Sequence, residues 1–161
     1  MNAGLRIGFG FDVHQLAENV PFTLGGIVVA HHKGSVGHSD GDALIHAICD
    51  ALLGAADLGD IGLHFPDTDP GLKGIDSKIL LKKTLDLIVE KGYQIINIDT
   101  TVCLQQPKLR PYLPQMKETL ARVLNLPEGR LSVKATTTEK LGFTGREEGV
   151  AAYASVLLNK E

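Results

Sequence analysis

The sequence predicts an α+β protein in which a mixed four-stranded sheet carries helices on one face and a small hairpin lies beside it. Strand and hairpin signals open the chain, before residue 30. Later stretches repeat apolar residues at helical spacing, and from residue 93 onward strand-like and helix-like stretches alternate. With 161 residues, 43% hydrophobic and 22% charged, the chain is expected to form one domain over residues 1–161 with a substantial core.

Residues 5–13, LRIGFGFDV, alternate: Leu5, Ile7, Phe9, Phe11 and Val13 point one way, Arg6, Gly8, Gly10, Asp12 and then His14 the other. Phe22-Thr23-Leu24, Gly25-Gly26 and Ile27-Val28-Val29 read as a hairpin about a two-glycine turn. Lys33-Gly34-Ser35 begins a loop into a helix within residues 38–57, with Ser39 or Asp40 as its N-cap. On that helix Leu44, Ile45, Ile48 and Leu52 share an apolar face, and Asp42, His46 and Asp50 recur at i, i+4, i+8 on the other.

Residues 58–77, rich in Gly, Pro and Asp, read as a long loop. An amphipathic helix follows over 76–91, capped by Asp76 or Ser77 and stopped by Gly92. Residues 93–105 are the longest strand candidate, broken by Gln106-Pro107-Lys108. A third helix over 111–125 sets Leu113, Met116, Leu120 and Leu124 on one face. Residues 131–138 form a strand, GFTG at 142–145 a turn, and residues 150–158 a closing apolar strand.

Charge and composition exclude several function classes. A net charge of −3 and pI near 6.1 give no footprint for nucleic acid or an anionic membrane. Two isolated cysteines suggest neither a disulfide framework nor a cysteine zinc site, so a cytoplasmic protein is expected, and no secretory leader or membrane span is read. There is no P-loop, no GxGxxG and no GxSxG.

The chemistry-bearing residues fall into three groups. Asp12 and His14, two apart on one strand face, could bind one ion with His46, which suits tetrahedral zinc with an open position; His32, His38 and His64 are rival ligands. A row of Asp and His on a helix face is also common as solvated surface. Lys134-Ala135-Thr136-Thr137-Thr138-Glu139-Lys140 offers hydroxyls for phosphate oxygens and one carboxylate for Mg²⁺, or simply strand threonines and an exposed acid. Arg146 nearby could clamp phosphate or form a surface ion pair. Gln105 to Arg110 forms a Pro turn with cations that could hold a base and its phosphate.

Four motifs taken together resemble the 2-C-methyl-D-erythritol 2,4-cyclodiphosphate synthase family of the non-mevalonate isoprenoid pathway. They are R-I-G-F-G-F-D-V-H at 6–14, H-S-D-G-D-x-x-x-H-A at 38–47, L-G-D-I-G-x-x-F-P-D-T-D at 58–69 and K-A-T-T-T-E-K-L-G-F-T-G-R at 134–146. The resemblance implies a lyase that closes a cyclic diphosphate by attack of the substrate's 2-phosphate on the β-phosphorus of its own cytidine diphosphate, releasing CMP. It implies zinc at Asp12, His14 and His46, magnesium or manganese at Glu139, and His38 and Thr137 as transition-state stabilisers. Cytidine-diphosphate contacts fall on Leu104, Gln105, Gln106, Pro107, Lys108, Leu109 and Arg110, and on Ala135, Thr136 and Thr137, with Thr138 also among the substrate-binding positions. Val13, beside the ligands, is among the substrate-binding positions, and contacts to the methylerythritol phosphate fall on Ser39 and on Asp60, Ile61 and Gly62. Phe65, Pro66, Asp67, Thr68, Asp69, Phe143 and Arg146 complete that set. Phe9 departs from the pattern of some relatives, which carry His there, outside the chemical positions. Also implied are a homotrimer with sites between subunits, and an axial cavity for an isoprenoid diphosphate near Phe11, Arg146 and Glu148. A zinc-dependent nucleotide phosphohydrolase and a trimeric nucleotide-binding regulator are the competing readings.

Overall fold

The computed structural model describes residues 4–160; residues 1–3 and 161, which the expected domain includes, lie outside the described residues. Strand β1 (Leu5–Glu18) pairs antiparallel with the closing strand, from Leu5 opposite Asn159 to Gln15 opposite Gly149. Strands β2 (Phe22–Leu24) and β3 (Ile27–Val29) form the separate hairpin. Its turn residues Gly25 and Gly26 have φ of +62° and +76°, the doubly left-handed turn that glycine permits.

Strand β4 (Lys33–Ser35) pairs with the last three residues of β1, so the sheet has five strands where four were expected. Two causes hid it. The first strand runs on to Glu18, well past residue 13, and Lys-Gly-Ser has poor strand propensity. Gly34 is nonetheless required, because a Cβ there would lie 2.2 Å from the carbonyl oxygens of Val20 and Pro21.

Helix α1 (Ala43–Ala55) packs on β1 and the closing strand and is buried almost all round, so the two-faced pattern expected for it does not hold. Its N-cap is Asp42, not Ser39 or Asp40. That carboxylate accepts N–H groups from Ile45 (3.0 Å), Gly25 (2.9 Å) and Gly26 (2.7 Å), tying the hairpin turn to the start of the helix. The fully buried Asp42 carboxyl is pushed up from its ordinary pKa by desolvation, against the N–H groups that favour its charged form.

The close seat of α1 explains the glycines of β1. A Cβ at Gly8 would stand 2.0 Å from Ala51 O, and one at Gly10 only 1.8 Å from Ala47 O. Small residues therefore face the helix, and the large apolar residues of the alternation face away. Ile7 is 84% exposed and Phe9 66%, with Phe11, Val13 and Tyr153 also open to solvent.

The twenty-residue stretch expected as loop contains helix α2 (Ile61–His64) and a 3₁₀ turn at Pro70–Leu72. Asp60 and Asp69 cap them, so two acids that looked generic start short helical turns. Helix α3 (Ser77–Glu90) begins after the N-cap Asp76, and Gly92 follows it at φ +83°, as its caps predict. Strand β5 (Tyr93–Cys103) leads through a 3₁₀ turn at Arg110–Tyr112 into helix α4 (Leu113–Leu124), stopped by left-handed Asn125. Strand β6 (Leu131–Thr136) lies parallel to β5, then one helical turn α5 (Gly142–Gly145) replaces the expected turn. Strand β7 (Gly149–Lys160) closes the sheet in the order β4-β1-β7-β5-β6. The mixed α+β architecture is thus as expected. Among the described residues no helix is long and apolar enough to cross a membrane.

Candidate active site

Asp12 and His14 project from the helix-facing side of β1, and His46 sits in the first turn of α1 above them. The glycine seam that draws this helix onto the strand closes the gap. Asp12 Oδ2 lies 2.7 Å from His14 Nε2 and 3.1 Å from His46 Nδ1, and the two imidazole nitrogens are 3.1 Å apart. His14 Nδ1–H donates to Val36 O at 2.8 Å, which leaves Nε2 as the ring nitrogen aimed at the cluster. Burial alone would raise Asp12 and lower His14. The hydrogen bonds and opposite charges between them win, so the Asp12 carboxyl is held below its ordinary value and His14 above.

One carboxylate and two imidazoles are a suitable donor set for zinc. Tetrahedral ligands at ~2.0–2.1 Å from the ion stand roughly 3.3 Å apart. The separations here are a few tenths shorter, so the three groups fit such an ion with small outward adjustments. The rival histidines are engaged elsewhere: His38 Nε2–H donates to Asp69 O, His64 Nε2–H donates to Leu58 O, and His32 faces Glu18.

The cluster floors a cleft of about 520 Å³ whose walls include His38, Ser39, Ile61, Gly62, Phe65, Pro66, Asp67 and Thr68, all residues singled out in the sequence. Leu72, Ile75 and Leu80 add an apolar wall that sequence reasoning missed. Five expected contacts are placed outside the wall. The Val13 side chain points to the opposite sheet face by strand alternation, and it is exposed there. Asp60 and Asp69 each use Oδ1 as a cap, on Leu63 N and Gly71 N. Phe143 lies over the backbone of Gly149, and Arg146 is paired in two contacts, at 2.9 and 3.3 Å, with Glu148.

A second cleft, about 590 Å³, opens where the parallel strands β5 and β6 both run out. Leu104, Gln105, Pro107, Lys108, Leu109 and Arg110 line one side, and Ala135, Thr136 and Thr137 the other, joined by Leu113, Val133 and Lys134. Gln106 is exposed, outside the lining, and precedes a cis bond to Pro107. Beyond the threonines the chain twists: Glu139 and Lys140 hold φ of +53° and +62°, strained for residues with side chains. Thr137 Oγ1 accepts from Glu139 N and Gln105 Oε1 accepts from Lys140 N, each at 3.2 Å, while Thr138 Oγ1 donates to Leu141 O at 2.7 Å. Glu139 is exposed at the edge of this second region and lies outside the Asp12–His14–His46 group. The two clefts share no lining residue.

Comparison with known proteins gives the chain's relatives. The YgbB family profile matches residues 5–159. A Bacteroides fragilis protein named 2-C-methyl-D-erythritol 2,4-cyclodiphosphate synthase is 61% identical over 156 residues, 97% of this chain and 98% of its own. A protein of the same name from Syntrophobacter fumaroxidans is 59% identical over 157 residues, 98% of this chain and 99% of its own. Among solved structures, a CDP-bound 2C-methyl-D-erythritol-2,4-cyclodiphosphate synthase superposes with a TM-score of 0.88 at 40% identity, over 95% of this chain and 99% of that one. A Plasmodium falciparum CDP complex does so at 0.86 and 35%, over 100% and 99%. With a profile spanning nearly every residue and relatives this similar over their full length, the chain belongs to the YgbB family.

Proposed function

We propose that this protein is a 2-C-methyl-D-erythritol 2,4-cyclodiphosphate synthase. It converts 4-diphosphocytidyl-2-C-methyl-D-erythritol 2-phosphate to the 2,4-cyclodiphosphate and CMP, in the non-mevalonate isoprenoid pathway. The observation that carries this reading is the Asp12–His14–His46 group opening into its own cleft, in a chain about 60% identical to proteins of that name. In this reading the walls and hydroxyls take the remaining work. Lys108, Arg110, Thr136 and Thr137 hold the cytidine diphosphate, with backbone groups from Leu104 to Leu109 and Ala135 around it. Ser39, His38 and the 61–68 wall hold the methylerythritol phosphate.

A phosphate with second pKa near ~6 is largely ionised at neutral pH, so no general base is needed and the task is alignment and charge neutralisation. Zinc at Asp12, His14 and His46, with magnesium or manganese at Glu139, supplies that neutralisation. Thr137 and His38 position the reacting phosphates, and the tether within the substrate supplies proximity. Asp60, Asp69, Thr138, Phe143 and Arg146 belong to the site's frame in this reading.

The working unit is a homotrimer in a reducing cytoplasm, each chain a single domain. Two features support it: the apolar, exposed strip of β1 requires a cover, and the two clefts share no residue, so a neighbouring chain's nucleotide cleft completes each metal cleft. The strips then line an axial cavity near Phe11, bordered by Arg146 and Glu148, with room for an isoprenoid diphosphate. The test is product analysis by ³¹P NMR after incubation with substrate, zinc and Mg²⁺. Cyclic diphosphate plus CMP is expected; linear hydrolysis products would make the protein a phosphohydrolase, and unchanged substrate a binding protein.

A further inference from the structure

Behind His46 lies a chain of hydrogen bonds whose direction is set by counting protons. Ser77, fully buried as the first residue of α3, places its Oγ against Asp40 Oδ1 and 2.9 Å from His46 Nε2. A hydroxyl has one proton to give, and a carboxylate only accepts. The Ser77 proton therefore goes to Asp40, and Ser77 Oγ must accept from His46. This places a proton on His46 Nε2, so that Nδ1, 3.1 Å from Asp12 Oδ2, is the nitrogen left to take a metal in place of its own proton.

Asp40 is itself fixed. Its Oδ2 accepts Ser77 N–H at 2.9 Å, its Oδ1 accepts Asp42 N–H at 3.2 Å, and its own N–H donates to Ile75 O at 3.1 Å. The carboxylate thus joins the starts of α1 and α3, and cannot swing away from the hydroxyl. Ser39 Oγ also lies within 3.2 Å of His46 Nε2 and accepts Gly41 N–H at 3.3 Å. That hydroxyl also lies 3.5 Å from Ser77 Oγ, and Ser39 lines the cleft.

We propose that Asp40 and Ser77 are positioning residues of the metal centre. They lock His46 in the Nε2-protonated tautomer and so keep Nδ1 available as a ligand, an inference that rests on the metal reading of Asp12, His14 and His46. Partners behind a ligating histidine commonly set its orientation and basicity, and their loss weakens metal binding roughly 10- to 100-fold.

The test is Ser77→Ala, with Asp40→Asn as a second variant, compared with the unaltered protein by zinc affinity in chelator competition and by ¹⁵N shifts of the His46 ring in zinc-loaded samples. The unaltered protein should bind zinc and show the Nε2–H tautomer. Both variants should bind zinc at least roughly tenfold more weakly and show mixed tautomers. Zinc bound by Ser77→Ala as tightly as before would overturn the relay while leaving the metal site standing. Zinc on His46 Nε2, with the proton on Nδ1, in the unaltered protein would overturn it even if neither variant folds. Failure of the unaltered protein to bind zinc would overturn the metal reading and the relay together.

Discussion

Gly10→Ala tests whether the seam between β1 and α1 sets the metal geometry. A Cβ at Gly10 would lie 1.8 Å from Ala47 O, and reaching ordinary contact at 3.4 Å requires the backbones to part by about 1.6 Å. No flexible side chain can yield, because the opposing atoms are backbone of α1. Overpacking of this kind costs ~1–3 kcal/mol, and a backbone clash belongs at the upper end. For a chain of this length ~3 kcal/mol lowers Tm by roughly 6–12 °C. The displacement also falls at the metal group: Asp12 is two residues from Gly10, and His46 adjoins Ala47. Metal-ligand distances tolerate only about 0.2 Å, so zinc affinity should collapse along with stability. The control is Gly54→Ala, in the same helix, where a Cβ meets nothing within 4 Å; that change should stabilise by about 0.5–1 kcal/mol and leave zinc untouched. Thermal unfolding and zinc content measured on both variants decide the matter. A Gly10→Ala protein with unchanged Tm and full zinc would refute the view that helix and strand are held at a fixed, side-chain-free distance.

Three further outcomes are expected. Lys108→Ala should raise KM more than it lowers kcat, since Lys108 lines the cleft away from the Asp12–His14–His46 group; steady-state kinetics showing mainly a kcat loss would move it to the reacting phosphates. Glu139→Gln should keep its zinc yet need much more Mg²⁺ or Mn²⁺ for turnover, read from rate against metal concentration; superimposable curves would leave Glu139 an ordinary exposed acid. Cys49, fully buried with its thiol pushed up to about 12 by desolvation, should resist thiol reagents until the protein unfolds. Native-state labelling, located by mass spectrometry, at Cys49 would contradict that burial.

The parts of the fold governed by local chemistry were legible in the residues. The two-glycine hairpin, the caps of α3 and the i, i+2 pairing of Asp12 with His14 all follow from short-range rules, and all are present. What was misread depended on distant partners. Asp42 fell into an i, i+4, i+8 row with His46 and Asp50, yet it precedes the helix and is buried by the hairpin 16 residues upstream. Asp50, the last of that row, accepts Ile61 N–H at 2.7 Å and ties α1 to the start of α2. Ser77 read as an ordinary helix-start serine, and nothing within its neighbourhood announces Asp40, 37 positions away, or His46, 31 positions away. The strand β4 and the strained pair Glu139–Lys140 have no local signal for the same reason: each conformation is imposed by a neighbour brought by the fold.

The exposed flank of β1 has a consequence for how the protein comes into being. On the way to the homotrimer proposed above, a newly made chain that has folded but not yet met its copies carries Ile7, Phe9, Phe11 and Val13 in water along one strand. Such a strip adheres to whatever apolar surface arrives first, and proper assembly and clumping both draw on it. Their orders in concentration differ, so recovery of active enzyme from denaturant should pass through a maximum: at great dilution orphan chains fail to find one another, and in crowded solution they precipitate before docking in register.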